Sequence, residues 1–261
     1  MHIPDPRLEP IYSAARTHLA GTDLLMLETT KAGELAFHRR LTEDRSVTFI
    51  TSGPNLEERL GKDAWSRLVP VLAEHQVPLF AARMMQPWFL GLALATPPCA
   101  RSAQATGQKG LDRRLERLAQ SADIPQAQLD DPDQLLAMLA GDPIEDQIDM
   151  MRRSLQGEVY RSNETAGLSA LYFSQEPYLF WLASAEISRS TPGFDPDLLE
   201  EVWSELIVVR NQSWLPKILD VAKTQTVFVA VGALHLPTRD GVLHGLAEAG
   251  YTLRRLPVPS R

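Results

Sequence analysis

Apolar positions follow two rhythms along this chain, and together they divide it into three parts. Leu8, Ile11, Tyr12, Ala15 and Leu19 recur three and four residues apart, which predicts an amphipathic helix over Leu8 to Ala20 that stops at Gly21. "DLLMLET" (Asp23 to Thr29) is a short continuous apolar run, the pattern of a buried strand. "RSVTFIT" (Arg45 to Thr51) alternates and predicts a second strand. After the turn "SGPN", the segment "LEERLGKDAWSRLVPVLAEHQ" returns to helical spacing around one tolerated proline. From Gln86 to about Trp203 the spacing is helical, in "GLDRRLERLAQSA", "PDQLLAMLAG", "PIEDQIDMMRRSLQGEVYRS" and "SALYFSQEPYLFWLASAE", with turns bearing Pro or Gly between them and no strand pattern. The rest predicts a long helix in "DPDLLEEVWSELIVVRNQSWLPKILDVAK", a strand in "TVFVAV", a loop, the helix "GVLHGLAEA" ended by Gly250, and a last strand in "YTLRRLPV".

This order predicts an α/β (α+β) fold in a single domain over residues 1–261. A mixed-sheet core comes from residues 1–85 and 204–261, and a large helical insertion, residues 86–203, covers the sheet edge.

Composition narrows the function. With 44% hydrophobic and 23% charged residues the chain can bury a core unaided. Its net charge of −7 provides no basic field to collect phosphates, and its Arg pairs are interleaved with acids, so nucleic acid is not an expected partner. The longest apolar run, "WFLGLALA" (Trp88 to Ala95), is far shorter than the ~20 residues of a membrane span, and "MHIPDPRLEP" lacks the regions of a signal peptide. A single cysteine, Cys99, excludes an intrachain disulfide and any multi-cysteine metal cluster, and it fits a reducing compartment. The expectation is a cytoplasmic protein in which any metal is held by His and carboxylates.

Walker, nucleophile-elbow, HExxH and dinucleotide-loop signatures are all missing. What remains is "GALH", where His235 ends a strand, the side of an α/β sheet on which ligands bind. Gly232 suits a tight exit from that strand, Glu28 ends the "LLMLE" strand, and His2 also stands just before a polar loop and a helix. Blander readings stand beside each. A lone histidine at a strand end is most often a hydrogen-bonded ring, Glu28 can cap a helix, and Arg210 can pair on its own helix with Glu205 or Asp220. Asp5 and Asp240 suit turns, His244 suits a surface, and Trp88, Trp181 and Trp203 suit the packing of the helical block or the wall of a peptide groove.

The block "VGALHLPTRDGVLHGLAEAGY" resembles the C-terminal signature of the TraB/PrgY/GumN proteins, which are related to the Tiki metalloproteases: a strand, Gly-x-x-His, a short loop and "GxxxxLxxxGY". That family carries two Gly-x-x-His motifs, an acid after an early strand, and an arginine in an "RN" pair ahead of the second motif. Here His235, Glu28 in "LLMLETT" and Arg210 in "VVRNQSW" match three of these, and "QPW", "KGLDRRL" and "EDQ" follow in the expected order. The first motif departs from the pattern: the family reads strand-"GTMH", and this chain opens with "MH", so only His2 matches. Either the start is assigned too late or the strand is lost; the first is expected, because the match resumes at the Met itself.

The resemblance implies a metal-dependent peptidase. His2, His235 and Glu28 would ligate a divalent ion, Mn²⁺ or Co²⁺ as readily as Zn²⁺, that activates a water. Glu28 would act as general base, and Arg210 would stabilise the oxyanion or fix a substrate carboxylate. The partner is a peptide or small-molecule substrate. The alternatives are a protein of the same fold that sequesters a peptide or small ligand without turnover, and a vestigial member held only by its fold.

Overall fold

The computed structural model describes residues 5–96, 98, 109–156, 171–190 and 196–256. His2, Cys99, the "GEVYRS" end of one expected helix and the "PV" end of the last expected strand lie outside them.

Three short strands make the sheet, in the order β2-β1-β3: β1 (Leu24–Leu27), β2 (Gln126–Gln128) and β3 (Val227–Ala230). Both pairings are parallel, and the register sets Leu27 opposite Gln128 on one side and Ala230 on the other, so the strands end level. The first pairing runs on past the strands, with Leu129 N–H donating to Leu27 O at 2.8 Å and Asp130 N–H to Glu28 O at 3.0 Å.

In chain order, α1 (Leu8–Leu19) precedes β1 and α2 (Lys31–Glu43) follows it. Then come α3 (Arg45–Thr48), α4 (Leu56–Leu60), α5 (Lys62–Glu74), α6 (Leu79–Ala82) and α7 (Pro87–Leu94). α8 (Leu111–Ser121) leads into β2, and α9 (Pro132–Ala140) and α10 (Ile144–Gln156) follow. α11 (Pro177–Ser190), α12 (Pro196–Trp203), a π-helical turn (Ser204–Val209) and α13 (Arg210–Ala222) lead into β3, and a 3₁₀ turn (Ala233–His235) and α14 (Val242–Glu248) come after it.

β1 is the central strand, which is why its sequence is apolar at every position. Leu25 and Leu27 pack with Leu19, Leu115 and Ala119 from α1 and α8, while Met26 faces Leu129, Trp214, Ile218 and Val242 on the other side. Each leucine buried this way contributes about 1.5–3 kcal/mol. A second core, away from the sheet, joins α4, α5, α7 and α10 through Leu56, Leu60, Leu68, Leu72, Leu90, Ile148 and Met151. Among the described residues no helix is long and apolar enough to cross a membrane.

The expected α/β class with a dominant helical portion is the observed one, but four local expectations are corrected. "RSVTFIT" is a one-turn helix followed by a single antiparallel bridge from Phe49 to Met85. Its alternation loses to a cap, because Asp44 accepts hydrogen bonds from Ser46 N at 2.8 Å and Ser46 Oγ at 2.7 Å. The helix expected from Leu56 onward breaks at Gly61, whose φ of +79° suits glycine alone and separates α4 from α5. β2 lies inside the block expected to be all helical. Gln126, Ala127 and Gln128 have no β-branched side chain, so this strand comes from backbone pairing to β1 and not from propensity. Tyr251 to Leu256, expected as the last strand, is exposed and forms no strand.

Candidate functional site

Because the strands are parallel and end level, the residues that follow them emerge together at the carboxyl edge of the sheet. Glu28 follows β1 directly, Asp130 comes two residues after β2, and Gly232 two after β3. α13 runs beside the same edge and supplies Arg210, Asn211 and Trp214 from its first turns.

Arg210 ties these elements together. Its Nη2 donates to Glu28 Oε2 at 2.5 Å and to Asp130 Oδ2 at 2.9 Å, and its Nε donates to Asp130 Oδ1 at 3.2 Å. The planar fork therefore grips Asp130 with two nitrogens and Glu28 with one of them, a task lysine cannot perform. The other carboxylate oxygen of Glu28 accepts the N–H of Gly232. Gly232 has an ordinary φ of −55°, so its lack of a side chain serves proximity and not backbone freedom: a Cβ there would lie 3.0 Å from Glu28 Oε1. The π-helical turn just before Arg210 changes the helical register from which its side chain projects, and Arg210 Nη1 donates back into that turn at Leu206 O, 3.2 Å away.

His235 enters from the 3₁₀ turn after β3 and is buried against the indole of Trp214, ring centroids 4.3 Å apart. Its protonation pattern follows from Asn211. The amide nitrogen of Asn211 donates to two carbonyls, His235 O at 3.2 Å and Asp240 O at 2.8 Å, which fixes the amide's orientation. Asn211 Oδ1 must then be the acceptor of the 2.8 Å contact with His235 Nδ1, so Nδ1 carries a proton. Nε2 faces Arg210 Nη1 at 3.2 Å, and a guanidinium only donates, so Nε2 presents its lone pair to the cluster. Trp214 completes the support, with its Nε1 donating to Asp130 Oδ1 at 2.8 Å and its ring 4.6 Å from the guanidinium.

Burial alone would push the Arg210 guanidinium down, but its hydrogen bond to Asp130 and the charge of Glu28 outweigh that and hold it above its ordinary value. Arg210 is thus charged at every pH the fold survives. Two carboxylates nonetheless share this one cation, so the edge keeps an excess of negative charge.

Donors of these types suit a divalent ion of the Mn²⁺, Co²⁺ or Zn²⁺ kind: an imidazole whose Nδ1–H is anchored and whose Nε2 lone pair is presented, beside carboxylate oxygens. Among the described residues they do not form a group of three arranged to hold an ion, and each of them is engaged by Arg210.

Of the residues expected at the site, Glu28, Arg210 and His235 come together, and His2 lies outside the described residues. Arg210 pairs across the sheet and not with Glu205 or Asp220 on its own helix. Asp5 forms a turn with Arg7, and Asp240 meets Asn211 through its carbonyl. His244 is exposed on α14, 3.4 Å from Glu248. Trp88 is fixed to Val47 O, and Trp181 packs on Trp203. Asp130, Asn211 and Trp214 are the members that the sequence did not single out. Asp130 was hidden because it adjoins Asp131, which caps α9 in the way a turn aspartate should. The signal for the other two was periodicity: Arg210, Asn211 and Trp214 lie within one helical turn and a residue, so any ligand of Arg210 is also near them.

A cavity of about 840 Å³ opens on the opposite face of the sheet edge, lined by Glu28, the start of α2 and one side of α8. No curated protein and no solved structure gives a significant match to the chain. Residues 1–255 match the model of the TraB/PrgY/gumN family, and the chain belongs to that family.

Proposed function

We propose that the protein is a metal-dependent hydrolase acting on peptide bonds, with its reaction centre at the Glu28–Arg210–His235 edge. The observation that carries this reading is the Nε2 lone pair of His235, set by the Asn211 bond to Nδ1 and met at 3.2 Å by Arg210, the guanidinium that also engages Glu28 and Asp130. His235 and Glu28 would hold the ion, with His2 as a further imidazole. A bound divalent metal supplies positive charge that polarises a carbonyl and acidifies a water.

The chain's own residues divide the remaining work. Asn211 keeps His235 in the tautomer whose proton is on Nδ1, and Trp214 packs against the ring. Glu28, which lines the cavity and can meet substrate from it, accepts the proton of the attacking water and returns it to the leaving amine. Arg210 would turn the Nη1–H that now meets His235 Nε2 to the oxygen on which negative charge grows, from a position that Asp130 preorganises.

A second reading has its own support. Arg210 engages every donor of the cluster, as a protein that only sequesters a peptide or small ligand could retain it. The test uses protein stripped of metal and reloaded with Mn²⁺, Co²⁺ or Zn²⁺, offered a mixed peptide library with and without EDTA. EDTA-sensitive cleavage is expected, together with loss of metal binding in His235→Ala and its retention in His244→Ala. Peptide binding without cleavage under any metal would sink the hydrolase in favour of the binder.

A further inference from the structure

The cavity beside Glu28 has walls of a definite character. One wall is the polar side of α8, where Asp112, Arg113, Glu116 and Arg117 face the space while Leu115 and Ala119 face the core. The opposite wall is the start of α2 with Lys31 and Glu34. Four cations and four acids line it, so in simple count the cavity is neutral: Lys31, Lys109, Arg113 and Arg117 against Glu28, Glu34, Asp112 and Glu116.

Their pairing is not even. Glu116 accepts the backbone N–H of Lys31 at 2.5 Å and pairs with Arg113 at 2.6 Å. Glu34 pairs with both Lys31 and Arg113 at 3.1 Å, and Glu28 is engaged by Arg210 and Gly232. Asp112 sits in the first turn of α8, where a negative charge serves the helix's own N-terminus. The acids are thus satisfied, largely by Lys31, Arg113 and Arg210. Lys109 and Arg117 are exposed at the cavity and form no ion pair with any described residue.

We infer that this cavity is the binding subsite for an acidic segment of the peptide, read by Lys109 and Arg117 on the side of Glu28 opposite His235. The inference rests on the peptide reading of the site above, and Glu28 is the residue common to both: it lines the cavity and belongs to the cluster. A carboxylate side chain entering there meets two cations that form no ion pair with a described residue, and acids that are already engaged. A lysine side chain would meet only acids already engaged, next to two like charges. The cavity's size is that of a site for a few residues and not for a whole folded partner.

The experiment measures binding, not turnover. Fluorescein-labelled heptapeptide pools, random at the flanks and fixed at two central positions as Glu, Gln or Lys, are titrated by anisotropy in EDTA, and mass spectrometry checks that they stay intact. The Glu pool is expected to bind about five- to tenfold more tightly than the Gln pool, a preference that shrinks as salt is raised, because this corresponds to about 0.5–0.7 kcal/mol for each of two exposed pairings. Lys109→Glu combined with Arg117→Glu should turn the preference toward the Lys pool. Both positions are exposed, and the variant's thermal unfolding should coincide with that of the parent. Equal binding of the Glu and Gln pools, no binding of any pool, or an unchanged preference in the double variant overturns the subsite. Acidic preference without metal-dependent cleavage in the library assay would remove the hydrolase and leave the subsite standing; cleavage without acidic preference would do the reverse.

Discussion

Two regions of this protein gather more acid than base, and they manage it in opposite ways. At the sheet edge, Glu28 and Asp130 share Arg210, and the guanidinium is held in turn by Leu206 O, the Trp214 ring and His235. The cleft between α10 and the α12–π segment is lined by Asp142, Asp146, Asp149, Glu201 and Glu205 and by two described cations, Arg152 and Arg153. There the pairs are exposed. Arg152 pairs with Asp149 at 2.7 Å, one turn away on the same helix, and Arg153 with Glu201 at 2.9 Å, with all four side chains at least a quarter exposed. The side chains of Glu28, Asp130 and Arg210 are 13%, 6% and 16% exposed. Water screens the cleft, so its charges act one by one; at the edge water is largely excluded, and the groups stand or fall together.

Removing the shared cation should therefore be the most costly single change. Arg210→Met keeps the length and packing of the side chain but leaves two buried carboxylates facing each other, and a loss of about 3–5 kcal/mol is expected in urea unfolding. Arg210→Lys restores the charge without the fork and should fall between the variant and the parent. If Arg210→Met costs less than about 1 kcal/mol, the edge is as loosely coupled as the cleft and the contrast is wrong.

Asn211→Leu tests the same coupling one step away from any charge. It strips the donor from two carbonyls, His235 O and Asp240 O, and the acceptor from His235 Nδ1. About 2–3 kcal/mol should be lost, since buried polar groups are left without partners. Nitrogen NMR of the imidazole supplies a readout that a packing defect would not move. The parent should show the proton on Nδ1, and the variant a mixture of tautomers. A parent ring protonated on Nε2 instead would contradict the amide orientation on which the site's reading rests.

What could be read from the sequence follows from where each signal is local. β1, β3 and most of the helices were legible because their apolar spacing repeats within a few residues. Glu28 and His235 were legible because a strand end is a position in sequence as well as in space. β2 was not, since Gln126 to Gln128 becomes a strand only by pairing with a segment about a hundred residues earlier in the chain. Asp130 shares that obscurity: its role depends on β2 ending level with β1, and a turn aspartate beside a helix cap looks the same without it. The one-turn helix at Arg45 shows the reverse case, in which a single capping residue overrides a clear alternation.

The smallest effect is expected in the cleft, and its sign sets it apart from the edge. Burial, followed by the charges of Asp142 and Glu201, pushes the Glu205 carboxyl above its ordinary range. An acid whose pKa is raised by folding binds its proton more tightly in the native state. Its contribution is favourable below the unfolded value of 4.5 and is lost as the pH rises through the folded value. At neutral pH Glu205 is thus ionised at a cost, and Glu205→Gln should stabilise the fold. Solvent screening limits the gain to about 0.5 kcal/mol or less. The gain should be present at pH 7, fade as the pH is lowered toward 4.5, and shrink in high salt. Removing Glu28 or Asp130 from the edge should instead destabilise at neutral pH, because each of those carboxylates holds a bond to Arg210 that no solvent replaces. A destabilising Glu205→Gln would mean that the cleft, like the edge, is organised around a cation its acids require.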